Sequence, residues 1–269
     1  MESQGVLLAF GLTLFAGLST GIGSVMSLFS KEFNPKLLAL SLGFSAGVMI
    51  YVSFVEIYAK AIDILKPLYG NKTGYWYGCI AFFVGIAVIA IIDKLIPSSE
   101  NPHEIKNINK MNALSPDKDN KLLRMGLFSA LAIAIHNFPE GLATFMSALS
   151  DPALGISIAG AIAIHNIPEG IAVSVPIYYA SKSRRKAFWL SFMSGLAEPV
   201  GAIVGYFVLR SIFNEVTFGV VFAGVAGIMV YISLDELLPT AEEYGEHHIA
   251  IGGLITGMLI MAISLLLFV

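Results

Sequence analysis

At 269 residues, with 56% hydrophobic residues, 13% charged residues and a mean hydropathy of +0.78, the chain is too apolar for a soluble domain of this length. Its single cysteine, Cys79, excludes an intrachain disulfide and a metal cage built from thiolates. The net charge of -3 gives no basic surface for a nucleic acid. We therefore expect a lipid bilayer as the solvent and no nucleic-acid partner.

Eight apolar stretches are long enough to cross roughly 30 Å of hydrocarbon as α-helices. In chain order they cover residues 5–28, 37–57, 75–96, 122–148, 153–180, 187–210, 216–238 and 249–269. Such continuous runs differ from the alternating pattern of a membrane β-barrel. The first run lacks the basic start of a signal peptide, so we interpret it as a retained helix. The sequence predicts an all-α integral membrane protein with eight transmembrane helices.

Positive charge is distributed unevenly over the loops between these spans. If both termini lie outside, the inner loops hold twelve Lys and Arg residues and the outer loops hold four. Because cytoplasmic loops retain positive charge, we expect both termini on the outer side of the cell inner membrane. The polar segment 97–120 has no periodic apolar face, which predicts a flexible cytoplasmic loop inside a single transporter domain covering 1–269.

Several stretches of the chain are similar to one another. The string AIAIHNFPEGLA from Ala132 recurs as AIAIHNIPEGIA from Ala161, on consecutive spans. AGVMIYVSFVEI from Ala46 matches AGIMVYISLDEL from Ala226, and GLSTGIG in span one matches GLAEPVG in span six. Elements five spans apart have opposite orientations. Spans one to three and six to eight are therefore predicted to form an inverted repeat around spans four and five, an arrangement that allows alternating access to a central site.

Ionisable side chains are costly inside a bilayer and usually mark function. Only five lie well inside the predicted spans, and they are His136, Glu140, His165, Glu169 and Glu198. Each lies about 11 to 15 residues from the start of its span, which places all five near the bilayer centre. The His and Glu of each repeated motif are four residues apart, so they share one helix face.

Two such faces turned together would present imidazole and carboxylate groups, to which Glu198 adds a further carboxylate and Asn137 and Asn166 add amide oxygens. This ligand set suits borderline divalent ions such as Zn²⁺, Fe²⁺, Mn²⁺ and Co²⁺. Prolines within or directly after the polar residues, Pro139, Pro168 and Pro199, predict local distortion of the helices. A proton relay without metal is the alternative interpretation of the paired His and Glu residues.

Further acids and histidines lie at the ends of spans two and seven. Glu56 and Glu236 occupy matching repeat positions, and with Asp235 they are candidate carboxylates at the two ends of a metal pathway. His247 and His248 follow in an acidic inner loop that contains no basic residue of its own. This loop is either a metal-receiving patch or an ordinary solvated turn.

HNFPEG on span four, HNIPEG on span five and SGLAEP on span six resemble the ZIP family of metal transporters, and within it the bacterial ZupT-like branch. The resemblance covers nearly the whole chain. It implies a 3+2+3 arrangement of helices, uptake of divalent metal toward the cytoplasm and a homodimer. As metal ligands it implies His136, Asn137, Glu140, His165, Asn166, Glu169 and Glu198, with Glu56 as an additional candidate.

In two respects the sequence departs from the family pattern. The loop after span three has only His103, whereas many family members have a His-rich loop, and His165 stands where some relatives have Asp. The second difference favours a broad range of ions, with zinc joined by iron, manganese, cobalt and cadmium. The metal is then a transported substrate, and no prosthetic group is expected.

Two other classes of function use similar residues. An intramembrane metal hydrolase would also place His and carboxylate around an ion that activates water, but the chain has no HExxH pair. A metal-selective channel would need the same ligands without alternating access. The sequence favours the transporter.

Overall fold

The computed structural model describes residues 2–29, 35–95, 118–209 and 214–266, which are helical almost throughout. The helices are α1 (Glu2–Phe29), α2 (Pro35–Val52), α3 (Ala59–Tyr69), α4 (Asn71–Leu95), α5 (Lys118–Ser150), α6 (Pro152–Ser181), α7 (Arg184–Gly195), α8 (Ala197–Leu209), α9 (Glu215–Ile232), α10 (Leu238–Tyr244) and α11 (His247–Leu266). Two π-helical segments, Ser53–Tyr58 and Ser233–Leu237, join α2 to α3 and α9 to α10. The described part of the chain contains no strand, which confirms the all-α class.

By length and composition, seven stretches of the described residues can cross a membrane. They are Gln4–Met26, Pro35–Tyr69, Asn71–Lys94, Pro152–Val175, Arg184–Val208, Glu215–Glu243 and His247–Leu266. These match the predicted spans one to three and five to eight. The fourth predicted span lies within α5, which has 33 residues. The predicted loop 97–120 lies outside the described residues, apart from its last three, which already belong to α5.

Span two extends well beyond its predicted end. The sequence placed that end at residue 57, because charged residues follow, but the π-helical segment leads directly into α3. Ala61 and Leu65 of α3 are buried whereas Asp63 is exposed, so the helix continues as an amphipathic one with its apolar side on the protein. It ends at Gly70, whose positive φ of 81° terminates the helix before α4.

The helices pair in a way that follows the predicted repeat. α1 packs against α6 and α5 against α8, while α2 packs against α11 and α4 against α9. The predicted repeat exchanges spans one to three with spans six to eight, and span four with span five. This exchange turns the α1–α6 contact into the α5–α8 contact, and the α2–α11 contact into the α4–α9 contact. The largest buried hydrophobic cluster lies where α2 and α9 approach the centre, and it includes Met49, Phe222 and Met229.

Glycines make the helix contacts of the two halves equivalent in detail. A Cβ at Gly47 would overlap the carbonyl oxygen of Leu254, and a Cβ at its repeat equivalent, Gly227, would overlap that of Phe82. Helix backbones touch at these points, so a residue without a side chain is required. Repeat-equivalent residues thus make equivalent contacts. The 3+2+3 arrangement with inverted repeats remains our interpretation of the fold.

Loops predicted to share one side of the membrane lie together. A cavity of ≈ 510 Å³ is lined by residues that include Asp63, Leu149 and Glu215, which come from three predicted outer ends. At the other end, Nζ of Lys36 lies 2.9 Å from a carboxylate oxygen of Glu246, and both belong to predicted inner loops. The two observations agree with the predicted order of the loops.

The close packing of α11 on α2 predicts a sharp difference between two glycines of the same helix. A Cβ at Gly257 would overlap the backbone carbonyl of Phe44, whereas a Cβ at Gly252 would meet nothing within 4 Å. We expect Gly257→Ala to lower the free energy of unfolding by about 1–3 kcal/mol, as for other overpacked sites. Gly252→Ala should not destabilise the protein. Thermal unfolding in detergent measures both, and equal melting temperatures for the two variants would contradict the packing described.

Candidate metal site

A short turn between α5 and α6 brings the two motifs to the same depth. Only Asp151 separates the two helices, and its side chain caps α6 by accepting a hydrogen bond of 2.9 Å from the backbone N–H of Ala153. His136 lies 15 residues before Asp151 and His165 lies 14 residues after it. At 1.5 Å per residue both are about 21–23 Å from the turn. The side chain of His136 itself lies outside the described part of the structure.

His165 and Glu140 meet across this helix pair. Nε2 of His165 lies 3.4 Å from Oε2 of Glu140, and both side chains are completely buried. Two ligands of a tetrahedral Zn²⁺ ion are about 3.3 Å apart when their bonds to the metal are close to 2 Å. The separation therefore suits two atoms that share an ion. The second carboxylate oxygen of Glu140 has no hydrogen-bond partner among the described residues.

The two motif asparagines tie α5 and α6 to the neighbouring spans. Nδ2 of Asn166 donates to Oε1 of Glu198 on α8 and, at 2.9 Å, to the carbonyl of Ala16 on α1. Nδ2 of Asn137 donates to the carbonyl of Ser194 on α7 at 3.3 Å. The amide oxygens of both side chains are buried and make no hydrogen bond within the described structure, so each is available as a ligand.

Backbone contacts hold α5 close to α8 and α6 close to α1. A Cβ at Gly141 would overlap the carbonyl oxygen of Glu198, and a Cβ at Gly170 would overlap that of Thr20. Gly141 and Gly170 follow the two motif glutamates directly. Thr20 occupies the position in α1 that is repeat-equivalent to Glu198.

Span six is interrupted beside the site. α7 ends at Gly195 and α8 begins at Ala197, immediately before Glu198 and Pro199. Pro199 has no N–H to continue the helical ladder, which explains why the break lies here. α5 and α6 continue as helices through their own prolines, so the local distortion that we predicted there remains a prediction.

One residue that contacts the motifs was missed by the sequence analysis. Oγ of Ser45 on α2 donates a hydrogen bond of 3.1 Å to Oε1 of Glu169, and both residues are buried completely. The signal in the sequence was weak, because a single serine in an apolar span is commonplace. Ser53, which lies two turns further along the span, donates instead to the carbonyl of Met49 at 2.6 Å, and Met49 itself packs in the core.

The acids of the site act on one another. Glu198 lies within electrostatic range of Glu140 and Glu169, and all three carboxyl groups are buried. Within the described side chains, however, no group of three His, Cys, Asp or Glu residues is close enough to hold a metal ion. The candidate ligands of the described structure therefore meet in pairs, among them His165 with Glu140 and Asn166 with Glu198.

Glu56, Asp235 and Glu236 lie away from these pairs. All three are half-buried in the two π-helical segments, which lie within spans two and seven. Glu56 follows Ser45 by 11 residues, which corresponds to about 16 Å along the helix. The π-helical segments themselves are repeat-equivalent.

The predicted inner loop between spans seven and eight contains paired charges. Nδ1 of His247 lies 2.6 Å from a carboxylate oxygen of Glu242, and the rings of His247 and His248 are 5.6 Å apart between centroids. The loop has no basic residue in its own sequence, but Lys36 at the start of α2 lies next to its Glu246. Hydrogen bonding to Lys36 holds the pKa of Glu246 below its usual value, so this acid remains ionised at neutral pH.

The chain is similar to known proteins over most or all of its length. Residues 96–265 match the family model described as ZIP Zinc transporter. The chain belongs to the ZIP zinc transporter family. It is 71% identical to the "Zinc transporter ZupT" of Chlorobaculum parvum over 99% of both chains, and 62% identical to that of Streptococcus mutans over 99% of this chain and 100% of the relative.

Membership of the ZIP family confirms the resemblance seen in the sequence. It makes the chain a transporter and not an enzyme, which removes the intramembrane hydrolase. A third relative, the "Zinc transporter ZupT" of Lysinibacillus sphaericus, is 62% identical over 98% of both chains. The ZIP similarity therefore covers spans one to three as well as the part matched by the family model.

Removing the Asn166 side chain should destabilise the metal-free protein. Asn166→Ala would leave Glu198 buried without its donor, which costs about 1–3 kcal/mol or more for a charged group. We expect a lower melting temperature in detergent with a metal chelator present. In a double-mutant cycle with Glu198→Gln the two effects should be clearly non-additive. Simple additivity would show that the two side chains do not interact.

Proposed function

We propose that this protein carries divalent metal ions, with zinc as the main substrate, into the cytoplasm through the buried site between α5 and α6. The names of its relatives support zinc, and the chemistry of the site supports a metal ion. The proposed ligands are His136, Asn137, Glu140, His165, Asn166, Glu169 and Glu198. The metal is the transported substrate and not a resident cofactor.

The observation that carries this proposal is the buried contact between His165 and Glu140. A neutral imidazole and a carboxylate 3.4 Å apart offer one nitrogen and one oxygen to a single ion. Further oxygens of Glu140, Asn137, Asn166 and Glu198 have no hydrogen-bond partner in the described structure. Burying such oxygens in a bilayer is costly unless a cation binds them during the transport cycle.

The donor set also limits which ions fit. The proposed ligand atoms are nitrogen and oxygen, and sulfur from Cys79 is absent because that residue lies on α4, away from the motifs. Nitrogen and oxygen ligands bind Zn²⁺, Fe²⁺, Mn²⁺ and Co²⁺, with Cd²⁺ as a larger analogue. We therefore propose a broad substrate range, and a carboxylate such as that of Glu140, whose two oxygens can each bind an ion, also permits two ions per site.

The proposed pathway begins at the cavity on the predicted outer side. The cavity is lined by residues that include Asp63, Asn214 and Glu215. Met146 also lines it and follows Glu140 by six residues on the same helix. This places Met146 about 9 Å from the motif along α5. The acids of the cavity would attract cations.

The remaining predicted pathway residues extend the proposal at both ends. Glu56 lies on span two between Ser45 and the outer cavity. Asp235 and Glu236 lie at the predicted inner end of span seven, and His247 and His248 lie in the loop that follows. We propose that Glu56 guides the ion inward. On the cytoplasmic side the ion is received by four residues, which are Asp235, Glu236, His247 and His248.

The equivalence of the two halves supports alternating access. Repeat-equivalent helices make the same contacts, so the two halves can exchange conformations and open the site to opposite sides in turn. A metal-selective channel and a proton relay remain the competing mechanisms. The inner-membrane location, the outward-facing termini and the homodimer implied by the family resemblance belong to the same proposal.

Uptake into vesicles tests this function. Purified protein would be reconstituted into liposomes, and the entry of Zn²⁺ would be followed with a trapped fluorescent indicator. Glu140→Gln keeps the size of the side chain and removes its charge, so we expect the initial rate to fall by at least tenfold. Lys72→Gln is the control, since Lys72 is an exposed charged residue at the start of α4 and outside the proposed pathway, and it should transport at the wild-type rate.

The same vesicles separate the competing mechanisms. A carrier should saturate with zinc and show exchange of internal against external metal, whereas a channel should do neither. Proton flux without zinc flux would favour the relay. Undiminished zinc uptake by both Glu140→Gln and Glu169→Gln would overturn the assignment of the site.

A further inference from the structure

Ser45 is presented to the metal site by a rigid helix. On α2, Gly43 and Gly47 flank it at two residues on either side, and both touch the backbone of α11, at Ala250 and Leu254 respectively. Residues two apart on a helix point about 200° away from each other. The side chain of Ser45 therefore points away from α11 and toward α6, while the glycine contacts fix the position of its backbone.

The hydrogen bond from Ser45 controls one carboxylate of the site. Oγ donates to Oε1 of Glu169 at 3.1 Å, and neither residue is exposed at all. A hydroxyl bound to an ionised carboxylate makes one of the stronger hydrogen bonds in proteins. With one oxygen held in place, the orientation of the whole carboxylate is fixed before an ion arrives.

This hydroxyl occurs in only one half of the repeat. The residue equivalent to Ser45 on α9 is Val225, which is buried and has no polar atom in its side chain. Glu140, the equivalent of Glu169, contacts His165. The hydroxyl of Ser45 thus supports Glu169 from α2, which lies outside the two helices that carry the closely similar motifs.

We propose that Ser45 is a positioning residue of the metal site, which orients Glu169 for the incoming divalent ion. This inference rests on the proposed function. An ion that must first reorient Glu169 binds more weakly, because the cost of ordering the carboxylate is then part of binding. Losing the hydroxyl should raise the apparent KM for zinc about tenfold, the effect of one hydrogen bond to a charged group, and leave the maximal rate within about twofold.

The test compares two substitutions of Ser45 whose new side chains have equal size, together with a smaller one and a control. Ser45→Thr keeps the hydroxyl, and Ser45→Val replaces it with a methyl group of the same volume, so any steric effect is shared. Ser45→Ala removes the hydroxyl without adding bulk. Ser147→Ala is the matched control, since Ser147 is equally buried but donates to the carbonyl of Ala143 in its own helix. Zinc uptake gives KM and the maximal rate, and calorimetry on purified protein gives the Kd.

We expect Ser45→Ala and Ser45→Val to raise both KM and Kd about tenfold, and Ser45→Thr and Ser147→Ala to resemble the wild type. Equal behaviour of the Thr and Val variants, or a wild-type KM in Ser45→Ala, would overturn the positioning role. A fall in the maximal rate at an unchanged KM would also overturn it. If the wild type itself carries no zinc, the proposed function fails instead.

Discussion

The fold depends on how three carboxylates are accommodated in the middle of an apolar bundle. Glu140, Glu169 and Glu198 are completely buried, where an isolated charge would be strongly destabilising. Each has a polar neighbour: His165 contacts the first, Ser45 donates to the second and Asn166 donates to the third. Glu140 and Glu198 each keep one oxygen without a hydrogen-bond partner in the described structure, and these oxygens are available to the cation that we propose. The same incomplete compensation would account for the cost of the site and for the metal binding proposed for it.

Such contacts between short polar side chains require helices that are unusually close. Glycines provide this closeness, since the backbones of α5 and α8 meet at Gly141 and those of α6 and α1 meet at Gly170. The inverted repeat then applies the same packing to both halves, as the equivalent contacts of Gly47 and Gly227 demonstrate. Glycine packing and the buried acids therefore depend on each other, because a looser bundle would expose the acids to lipid or water. An alternating-access transporter needs both halves to tolerate the same set of contacts.

Much of this arrangement was predictable, because intramembrane charge is rare and informative. The sequence identified Glu140, His165 and Glu198 at one depth, and the structure brings the first two into contact. Ser45 was not predictable, since a serine in an apolar helix gives no signal until its partner is known. The continuation of span two beyond Glu56 was also missed, because charged residues indicated a loop although one face of α3 is apolar. Where a helix ends depends on which residues are buried in the tertiary structure, and the local sequence pattern does not show this.

X-ray absorption at the zinc edge of purified, zinc-loaded protein reports which atoms bind the ion. We expect nitrogen and oxygen neighbours at about 2.0–2.1 Å, with scattering from imidazole that decreases in His165→Ala. A sulfur neighbour at about 2.3 Å, or an imidazole signal unchanged by that substitution, would contradict the proposed site.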